Sequence, residues 1–177
     1  MRVVAGRLGG RLFNSPNTHR THPMSDKARG ALFNILGDIK GMTVLDPFAG
    51  TGALSFEAIS RGASSAVAIE SDKTAQRTIA ENIDLLGLKD QVDLIRAFAA
   101  SWLYRNSMRK FDLVLCDPPF NDPQFPALDK IAKRVNPGGL LVLSWPSSEE
   151  IPAFRDLEQV EQRNYGDMQL VFYRRMQ

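Results

Sequence analysis

The chain has 177 residues, of which 44% are hydrophobic and 24% are charged, and its formal net charge at pH 7 is +2. These values are near the average for a globular protein, and the length suits one domain or one domain with an appendage. No apolar run approaches the roughly 20 residues that a membrane-spanning helix needs, and the N-terminus lacks the apolar stretch of a secretory signal. The single cysteine, Cys116, excludes an internal disulfide, so we expect a cytoplasmic protein.

Positive charge is concentrated at the N-terminus. Residues 1–40 carry seven Lys or Arg and two acidic residues, whereas the rest of the chain carries fifteen basic and eighteen acidic residues. A basic segment on a mildly acidic body favours a polyanionic partner such as nucleic acid. From charge alone, a solvated surface that is incidentally basic is an equally good interpretation.

The first 24 residues differ in pattern from the rest. Two short runs, at residues 2–5 and 11–13, flank three glycines and predict a small β-hairpin. Ser25 is placed to cap a helix, and the helix's apolar face comprises Ala28, Ala31, Leu32, Ile35 and Leu36. Lys27, Arg29 and Gly30 are predicted to face elsewhere. We therefore predict a basic N-terminal arm, residues 1–24, and a main domain, residues 25–177.

From residue 43 onward, apolar strands alternate with helical segments. Strands are predicted at residues 43–46, 66–70, 92–95, 112–116 and 140–145. Helices are predicted at residues 53–61, 72–86 and 126–135, with a further segment at 98–104 and a turn at 136–139. This alternation predicts a parallel sheet with helices on both faces. The end differs, because runs at residues 159–163 and 169–173 flank a turn and predict an antiparallel hairpin.

The first strand ends in the sequence Asp46-Pro47-Phe48-Ala49-Gly50-Thr51-Gly52, a glycine turn that leads into a helix. Glycines let the backbone approach a ligand, and a helix N-terminus offers free N–H groups. Glu70 ends the second strand eighteen positions after Gly52, where a carboxylate can accept hydrogen bonds from ribose hydroxyls. Asp46 suits a ligand with a cationic end and would repel a pyrophosphate, and Ser55 replaces a third glycine. The turn therefore favours S-adenosylmethionine over NAD, the alternative being an ordinary βα turn capped by Asp46.

The fourth strand ends in a second motif, Asp117-Pro118-Pro119-Phe120. Two successive prolines remove two N–H donors and stiffen the chain. In an open parallel sheet, ligands bind beyond the carboxyl ends of the strands near the switch point, which the first and fourth strands usually flank. There Asp117 and a Pro-Pro carbonyl could accept the two hydrogens of an exocyclic amine, while Phe120 stacks on the base. The alternative is a corner that is merely stiff.

Together the two motifs resemble S-adenosylmethionine-dependent methyltransferases that act on exocyclic amino groups of bases. Further stretches are similar to one branch, the bacterial 16S rRNA guanine-N2 methyltransferases of the RsmD family. These stretches are residues 2–7 with 10–11, residues 22–29 leading into 32–34, and residues 165–167. The resemblance spans nearly the whole chain. It implies a Rossmann-like class I methyltransferase, with a mostly parallel seven-stranded sheet, a C-terminal antiparallel hairpin and a small N-terminal β-hairpin arm.

The resemblance also implies a role for each motif. The cofactor would be S-adenosylmethionine, leaving S-adenosylhomocysteine, and its site would comprise Asp46, Phe48, Ala49, Gly50, Thr51, Gly52, Glu70, Ser71, Phe98 and Ala99. The guanine amine would be held by Asp117, Pro118, Pro119 and Phe120. RNA would be contacted by Arg2, Arg7, Arg11, Arg20, His22 and Arg29.

The chain departs from the family pattern at two places. Family members often have Arg-Pro-Thr where this chain has His22-Pro23-Met24, which removes a fixed charge near the cofactor or RNA. They often have Asp or Asn at the end of the third strand, where this chain has Phe98. Adenine would then rely on backbone groups around Phe98 and Ala99 and on apolar packing.

The implied partner is 16S rRNA, in the small ribosomal subunit or an assembly intermediate, and we expect a monomer with no membrane association. No metal is predicted, because His19 and His22 are the only histidines and no cysteine is near them in sequence. A DNA adenine-N6 or cytosine-N4 methyltransferase is an alternative, although 177 residues leave little room for a separate target-recognition region. A nucleotide-cofactor oxidoreductase is disfavoured by Asp46 and the missing third glycine. An RNA-binding protein without activity is the third alternative.

Overall fold

The computed structural model describes residues 1–16, 24–119 and 125–177. Within them seven strands form one sheet: β1 (Thr43–Asp46), β2 (Ser65–Glu70), β3 (Val92–Arg96), β4 (Phe111–Cys116), β5 (Val135–Pro146), β6 (Leu157–Tyr165) and β7 (Met168–Arg175). The helices are α1 (Asp26–Leu36), α2 (Ala53–Ser60), α3 (Lys73–Leu86), α4 (Ala99–Arg105) and α5 (Phe125–Ala132). None of these helices is long and apolar enough to cross a membrane.

The strand order across the sheet is β3-β2-β1-β4-β5-β7-β6. The five strands from β3 to β5 are mutually parallel, and β7 runs antiparallel to both β5 and β6. The predicted mostly parallel seven-stranded sheet with a C-terminal antiparallel hairpin is therefore confirmed. The chain reverses its direction of travel across the sheet between β1 and β4, which makes their carboxyl ends the expected place for a ligand.

Two hydrophobic cores cover the two faces of the sheet. One contains side chains of α1, α2 and α3, such as Leu32, Phe56 and Ile79, all of which are buried. The other contains side chains of α4 and α5, such as Leu103 and Ile131. The central strands are buried on both faces because both cores rest on them, which explains why they read as continuous apolar runs.

One predicted turn proved to be part of a strand. The helix predicted to reach residue 135 ends at Ala132, and the predicted turn at 136–139 lies within β5. The reason is a break in register: Val135 pairs with Phe111, and regular pairing with β4 resumes only beyond the glycines. A Cβ atom on Gly139 would lie 2.8 Å from the Asp112 carbonyl oxygen, so glycine permits the close approach of the two strands.

Helix α1 begins where the sequence predicts. The Ser25 hydroxyl accepts a hydrogen bond from the Ala28 amide at 3.2 Å, which caps the helix. The prediction that Arg29 and Gly30 face away from the core was wrong, because both are buried. Arg29 has no exposed side-chain surface, and its Nη2 donates to the Arg2 carbonyl at 2.6 Å and to Asp26 Oδ1 at 2.8 Å.

The described part of the N-terminal arm, residues 1–16, packs against the main domain. The two predicted runs of the hairpin pair with each other: the Val3 amide donates to the Arg11 carbonyl and the Gly10 amide donates to the Val3 carbonyl, each at 2.9 Å, and Arg2 forms an antiparallel bridge with Leu12. Buried Glu57 of α2 accepts hydrogen bonds from the Val4 amide at 2.7 Å and the Ala5 amide at 3.0 Å. The core on that side includes Val3, Leu8 and Phe13. The domain boundary at residue 24 stays a prediction, because residues 17–23 lie outside the described residues.

Candidate active site

Two buried or half-buried carboxylates lie at the carboxyl ends of the two central strands. Asp46 is the last residue of β1, and Asp117 directly follows β4. The strands are neighbours in the sheet, with Val44 paired to Leu113. The topology therefore brings together the first residues of the two sequence motifs, Asp46 and Asp117, at the switch point of the sheet.

The turn after β1 is held in shape by backbone hydrogen bonds. The Ala49 amide donates to the Ile69 carbonyl of β2 at 2.9 Å, and the Gly52 amide donates to the Ala49 carbonyl at 2.7 Å. Gly52 has a φ of +79°, and a Cβ there would lie 2.6 Å from the Phe56 ring. Both the backbone conformation and the lack of space therefore require glycine at this position.

Asp46 is fully buried, with one carboxylate oxygen bonded and one not. Its Oδ2 accepts a hydrogen bond from the Ser55 hydroxyl at 2.8 Å. Its Oδ1 is buried and has no hydrogen-bond partner within the part of the chain that the structure describes. Burial raises the pKa of Asp46 to about 7, with smaller contributions from the charges of Asp117 and Glu70. An orphaned oxygen of this kind favours a ligand that brings a positively charged donor.

Ser55 contributes to the site, although in the sequence it stands out only as the residue that replaces a third glycine. It is fully buried on α2, and its hydroxyl orients the Asp46 carboxylate. A buried serine three positions after the second glycine of the turn lies one helical turn into α2, which is a signal that could have predicted the contact. The replacement of the third glycine therefore has a local structural role.

Glu70, at the end of β2, ties the glycine turn to the start of the next helix. Its Oε2 accepts from the Gly50 amide at 2.8 Å, and its Oε1 accepts from the Asp72 amide at 2.7 Å. Each carboxylate oxygen can accept a second hydrogen bond. Because the residue is only partly buried, these remaining positions are available to hydroxyl groups of a ligand.

The corner after β4 carries the second carboxylate. Asp117 is half-buried, Pro118 is buried and Pro119 is exposed. Burial raises the pKa of Asp117 to about 6, and the nearby Ser144 hydroxyl acts in the opposite direction. Phe120, which was predicted to stack on a base, lies outside the described residues.

The other predicted cofactor residues surround the same edge of the sheet. Ala49 and Thr51 are buried in the turn, Phe48 is partly buried, and Ser71 is exposed just after β2. Phe98 follows β3 and is 71% exposed, which is high for a phenylalanine. Ala99, the first residue of α4, is buried. An exposed ring at this edge has an open face on which a planar group can pack.

The predicted RNA-contacting arginines hold the arm in place. Arg2 is paired with Asp26 at 2.9 Å, Arg7 bonds the Gln91 side chain, and Arg11 donates to the Leu85 carbonyl at 2.8 Å. All three arginines are nevertheless exposed and retain free donors.

The remaining predicted RNA contacts are placed differently. The prediction for Arg29 conflicts with its position, because a side chain without exposed surface cannot reach a phosphate. Arg20 and His22 lie outside the described residues. Among residues 1–16, 24–119 and 125–177, no cluster of three or more His, Cys, Asp or Glu is arranged to hold a metal ion.

Comparison with known proteins identifies relatives of the chain. A Bacillus subtilis protein with the provisional name rRNA methyltransferase YlbH is 28% identical over 182 residues, which cover 99% of both chains. Ribosomal RNA small subunit methyltransferase D of Buchnera aphidicola is 33% identical over 120 residues. That match covers 67% of this chain and 62% of the relative, so the aligned segment spans less than two thirds of the Buchnera protein.

Solved structures share the fold. YhhF of Escherichia coli, which has the provisional name of a methyltransferase, superimposes with a TM-score of 0.90 at 24% identity, covering 100% of this chain and 98% of that one. A Streptococcus mutans protein provisionally named a methyltransferase, SMU.776, was solved with S-adenosylhomocysteine. It matches with a TM-score of 0.64 at 16% identity, covering 84% of this chain and 48% of that one. These likenesses support the Rossmann-like methyltransferase fold.

The family model described as conserved hypothetical protein 95 matches residues 1–174, nearly the whole chain. That match includes the arm, the glycine turn, the Asp-Pro-Pro corner and the C-terminal hairpin. The chain therefore belongs to this family, the RsmD family of methyltransferases.

Proposed function

We propose that the protein transfers a methyl group from S-adenosylmethionine to the exocyclic N2 amine of a guanine in 16S rRNA. The observation that carries this proposal is the presence of two carboxylates at the carboxyl ends of neighbouring strands at the switch point, Asp46 at the end of β1 and Asp117 directly after β4. One suits a cationic cofactor and the other suits an amine. The RNA substrate is supported by a relative that is named a ribosomal RNA small subunit methyltransferase.

The residues at this edge fit S-adenosylmethionine. The unpartnered Oδ1 of Asp46 would accept a hydrogen bond from a cationic amine, since a buried carboxylate oxygen without a donor is unfavourable. Glu70 would accept the ribose hydroxyls with its remaining lone pairs. Phe98 would offer its exposed ring to the adenine.

Asp117 would hold the substrate amine. When ionised it accepts hydrogen bonds only, so together with a Pro-Pro carbonyl it orients the two N–H bonds and directs the nitrogen lone pair at the reacting carbon. As the amine gains positive charge, the half-buried carboxylate stabilises it more strongly than it stabilises the neutral amine. Asp117 is also the acceptor for the proton that the amine then loses. The pKa of about 6 leaves it mostly ionised at neutral pH.

The chemistry of the cofactor limits what the protein must do. When bound, S-adenosylmethionine would supply a methyl group on a sulfonium, whose sulfur would keep the C–S electron pair when the methyl carbon bonds to the amine nitrogen. The protein's part is alignment, which can supply roughly 7–11 kcal/mol of a barrier. The guanine must leave its stack to reach Asp117, at a cost of about a few kcal/mol, and we expect the Pro-Pro corner and Phe120 to receive it.

The N-terminal arm would bind the RNA backbone. Arg2, Arg7 and Arg11 are exposed on the segment that α2 holds against the main domain. Their free donors can contact phosphate oxygens without breaking the bonds that fix the arm. Binding to a ribosomal substrate would place the protein in the cytoplasm.

The alternatives predict different substrates. A DNA adenine-N6 or cytosine-N4 methyltransferase would use the same Asp-Pro-Pro corner, because the corner selects an amine and not a particular base. An oxidoreductase is disfavoured by the buried Asp46, whose negative charge would repel a pyrophosphate at the glycine turn.

The substrate class can be tested by methyl transfer. The protein would be incubated with tritiated S-adenosylmethionine and, in separate reactions, naked 16S rRNA, assembled small subunits and duplex DNA. We expect label in 16S rRNA in at least one of the two ribosomal samples. Label only in DNA would overturn the proposal, and so would the absence of label from both ribosomal samples.

A further inference from the structure

Ser144 lies beside Asp117 on the neighbouring strand. It is the antepenultimate residue of β5, which pairs in parallel with β4. The register pairs Cys116 with Leu143, so the next position along both chains brings Asp117 and Ser144 side by side. Side chains of laterally paired residues in a parallel sheet project from the same face. The two side chains are therefore neighbours at the carboxyl edge.

The hydroxyl of Ser144 has no structural use that the described residues reveal. The residue is 2% exposed and is flanked in β5 by Leu143 and Trp145, both buried and apolar. Its Oγ is buried and has no hydrogen-bond partner among the described residues. A buried hydroxyl normally makes a hydrogen bond, so we expect Ser144 to have an acceptor nearby. Asp117 is the neighbouring acid, and a hydrogen bond from this hydroxyl would lower its pKa.

We propose that Ser144 is a positioning residue for methyl transfer, whose hydroxyl donates a hydrogen bond to the Asp117 carboxylate and so fixes the carboxylate's orientation towards the substrate amine. This inference rests on the proposed role of Asp117. A hydroxyl rotates freely about its Cβ–Oγ bond, so the hydrogen bond requires little movement. One carboxylate oxygen is then engaged by Ser144, and the other is left for the amine.

The electrostatics of the site explain why such a donor is needed. Burial raises the pKa of Asp117 to about 6. Among the described residues, the ionisable groups that interact electrostatically with Asp117 are Asp46 on β1 and the thiol of Cys116, and Glu70 lies further along the edge. None of these is a cation. Ser144 is thus the neighbouring donor that favours the ionised carboxylate, which is the form able to accept the amine's hydrogens.

The test compares Ser144→Ala with Ser144→Thr, which retains the hydroxyl. The pKa of the Asp117 carboxyl is measured by carbon NMR in protein labelled at aspartate, with the Asp117 signal assigned from Asp117→Asn. Methyl transfer to ribosomal substrate is measured from pH 5.5 to 8.5. Ser60→Ala is the control, because it removes another buried hydroxyl, which donates to the Ala5 carbonyl and lies away from Asp117.

We expect Ser144→Ala to raise the pKa of Asp117 and to move the acidic limb of the kcat profile to higher pH. Activity at pH 6 relative to pH 8 should fall roughly three- to tenfold below the wild-type ratio. Ser144→Thr should restore both values, and Ser60→Ala should leave both unchanged while lowering thermal stability. A wild-type carboxyl titration in Ser144→Ala would overturn the inference. Failure of the wild-type protein to methylate any RNA would instead overturn the proposed function, while the NMR result would still decide the Ser144–Asp117 contact.

Discussion

Asp117 raises the pKa of Asp46 across the boundary between two neighbouring strands. Burial has the larger effect on each of these carboxyls, and it raises both pKa values above the usual range of aspartate. Two acids that resist ionisation at the same edge of a sheet are characteristic of a functional site. The unfavourable ionisation of the two carboxyls would be offset by a cation bound at Asp46 and an amine bound at Asp117.

Without ligand, these carboxylates should make the protein less stable as the pH rises. Their folded-state pKa values, about 7 for Asp46 and about 6 for Asp117, lie above the unfolded value of 3.8. The folded state therefore binds more protons between these values, and stability falls as the pH rises from about 4 to about 7. We expect Asp46→Asn to stabilise the ligand-free protein at pH 8 by roughly 2–4 kcal/mol and to change little at pH 4.

Urea unfolding at pH 4, 6 and 8 would measure this effect. Asp90→Asn is a suitable control. Asp90 is exposed, so the substitution removes a charge without changing the buried site. If Asp46→Asn changed the free energy of unfolding by the same amount at pH 8 as at pH 4, the result would contradict the burial of an ionised carboxylate.

Binding of S-adenosylmethionine should release up to about half a proton at pH 7, because Asp46 is about half protonated there. A cationic ligand at Asp46 Oδ1 would lower the pKa of Asp46 from about 7, so affinity should rise with pH and level off above about pH 8. Isothermal calorimetry in buffers of different ionisation enthalpy would detect the proton. Asp46→Asn should abolish the release and weaken binding roughly ten- to hundredfold. If Asp46→Asn still released the proton in full, the proton would come from a group other than Asp46.

Asp117 should matter for turnover more than for cofactor binding. Asp117→Asn keeps the size of the side chain but replaces one acceptor oxygen with a donor, which opposes the N–H bonds of the amine. We expect kcat to fall roughly 100- to 1000-fold while the affinity for S-adenosylmethionine stays within about threefold of wild type. Calorimetry and single-turnover kinetics would separate the two. The opposite pattern, lost affinity with intact turnover, would show that Asp117 belongs to the cofactor site.

Glu57 should hold the N-terminal arm against the main domain. It is fully buried, it accepts two arm amides, and its Oε1 lies 2.7 Å from Arg61 Nε. Glu57→Gln removes one of the two negative charges beside buried Arg29, the one at 3.7 Å, and leaves Asp26 as the other; it should destabilise the protein by about 3 kcal/mol. Hydrogen exchange of the Val4 and Ala5 amides should accelerate, and RNA affinity should fall.

The matched control for this prediction is Glu81→Gln, which alters an exposed glutamate on α3. Cofactor affinity should be unchanged in both variants, because Glu57 does not contact the glycine turn in the described residues. Unaltered exchange at Val4 and Ala5 in Glu57→Gln would mean that packing alone fixes the arm.

The strand-and-helix pattern and the two central motifs could be predicted from the sequence because their signals are local. Asp46 and Asp117 each follow an apolar strand, and parallel topology brings the ends of such strands to one edge. Ser55 and Ser144 were not assigned roles, because their partners are set by helix phase and strand register over 9 and 27 positions. The burial of Arg29 depends likewise on the arm folding over α1, which local periodicity does not reveal.

The β5 glycines illustrate the same limit on a smaller scale. Asn136-Pro137-Gly138-Gly139 has the composition of a turn, and local propensity predicts one. The pairing of Val135 with Phe111 draws the segment into the sheet, so that a non-local contact overrides the propensity.

The most direct test of the proposed function is the identity of the methylated nucleoside. Small-subunit RNA methylated by the wild-type protein would be digested and analysed by liquid chromatography with mass spectrometry, alongside RNA treated with Asp117→Asn and Asp46→Asn. We predict N2-methylguanosine with the wild-type protein, little or none with Asp117→Asn, and a reduced yield with Asp46→Asn at a cofactor concentration that does not saturate that variant. N6-methyladenosine, a ring-nitrogen methylguanosine, or an equal yield from Asp117→Asn would contradict the assignment of the Asp-Pro-Pro corner to a guanine amine.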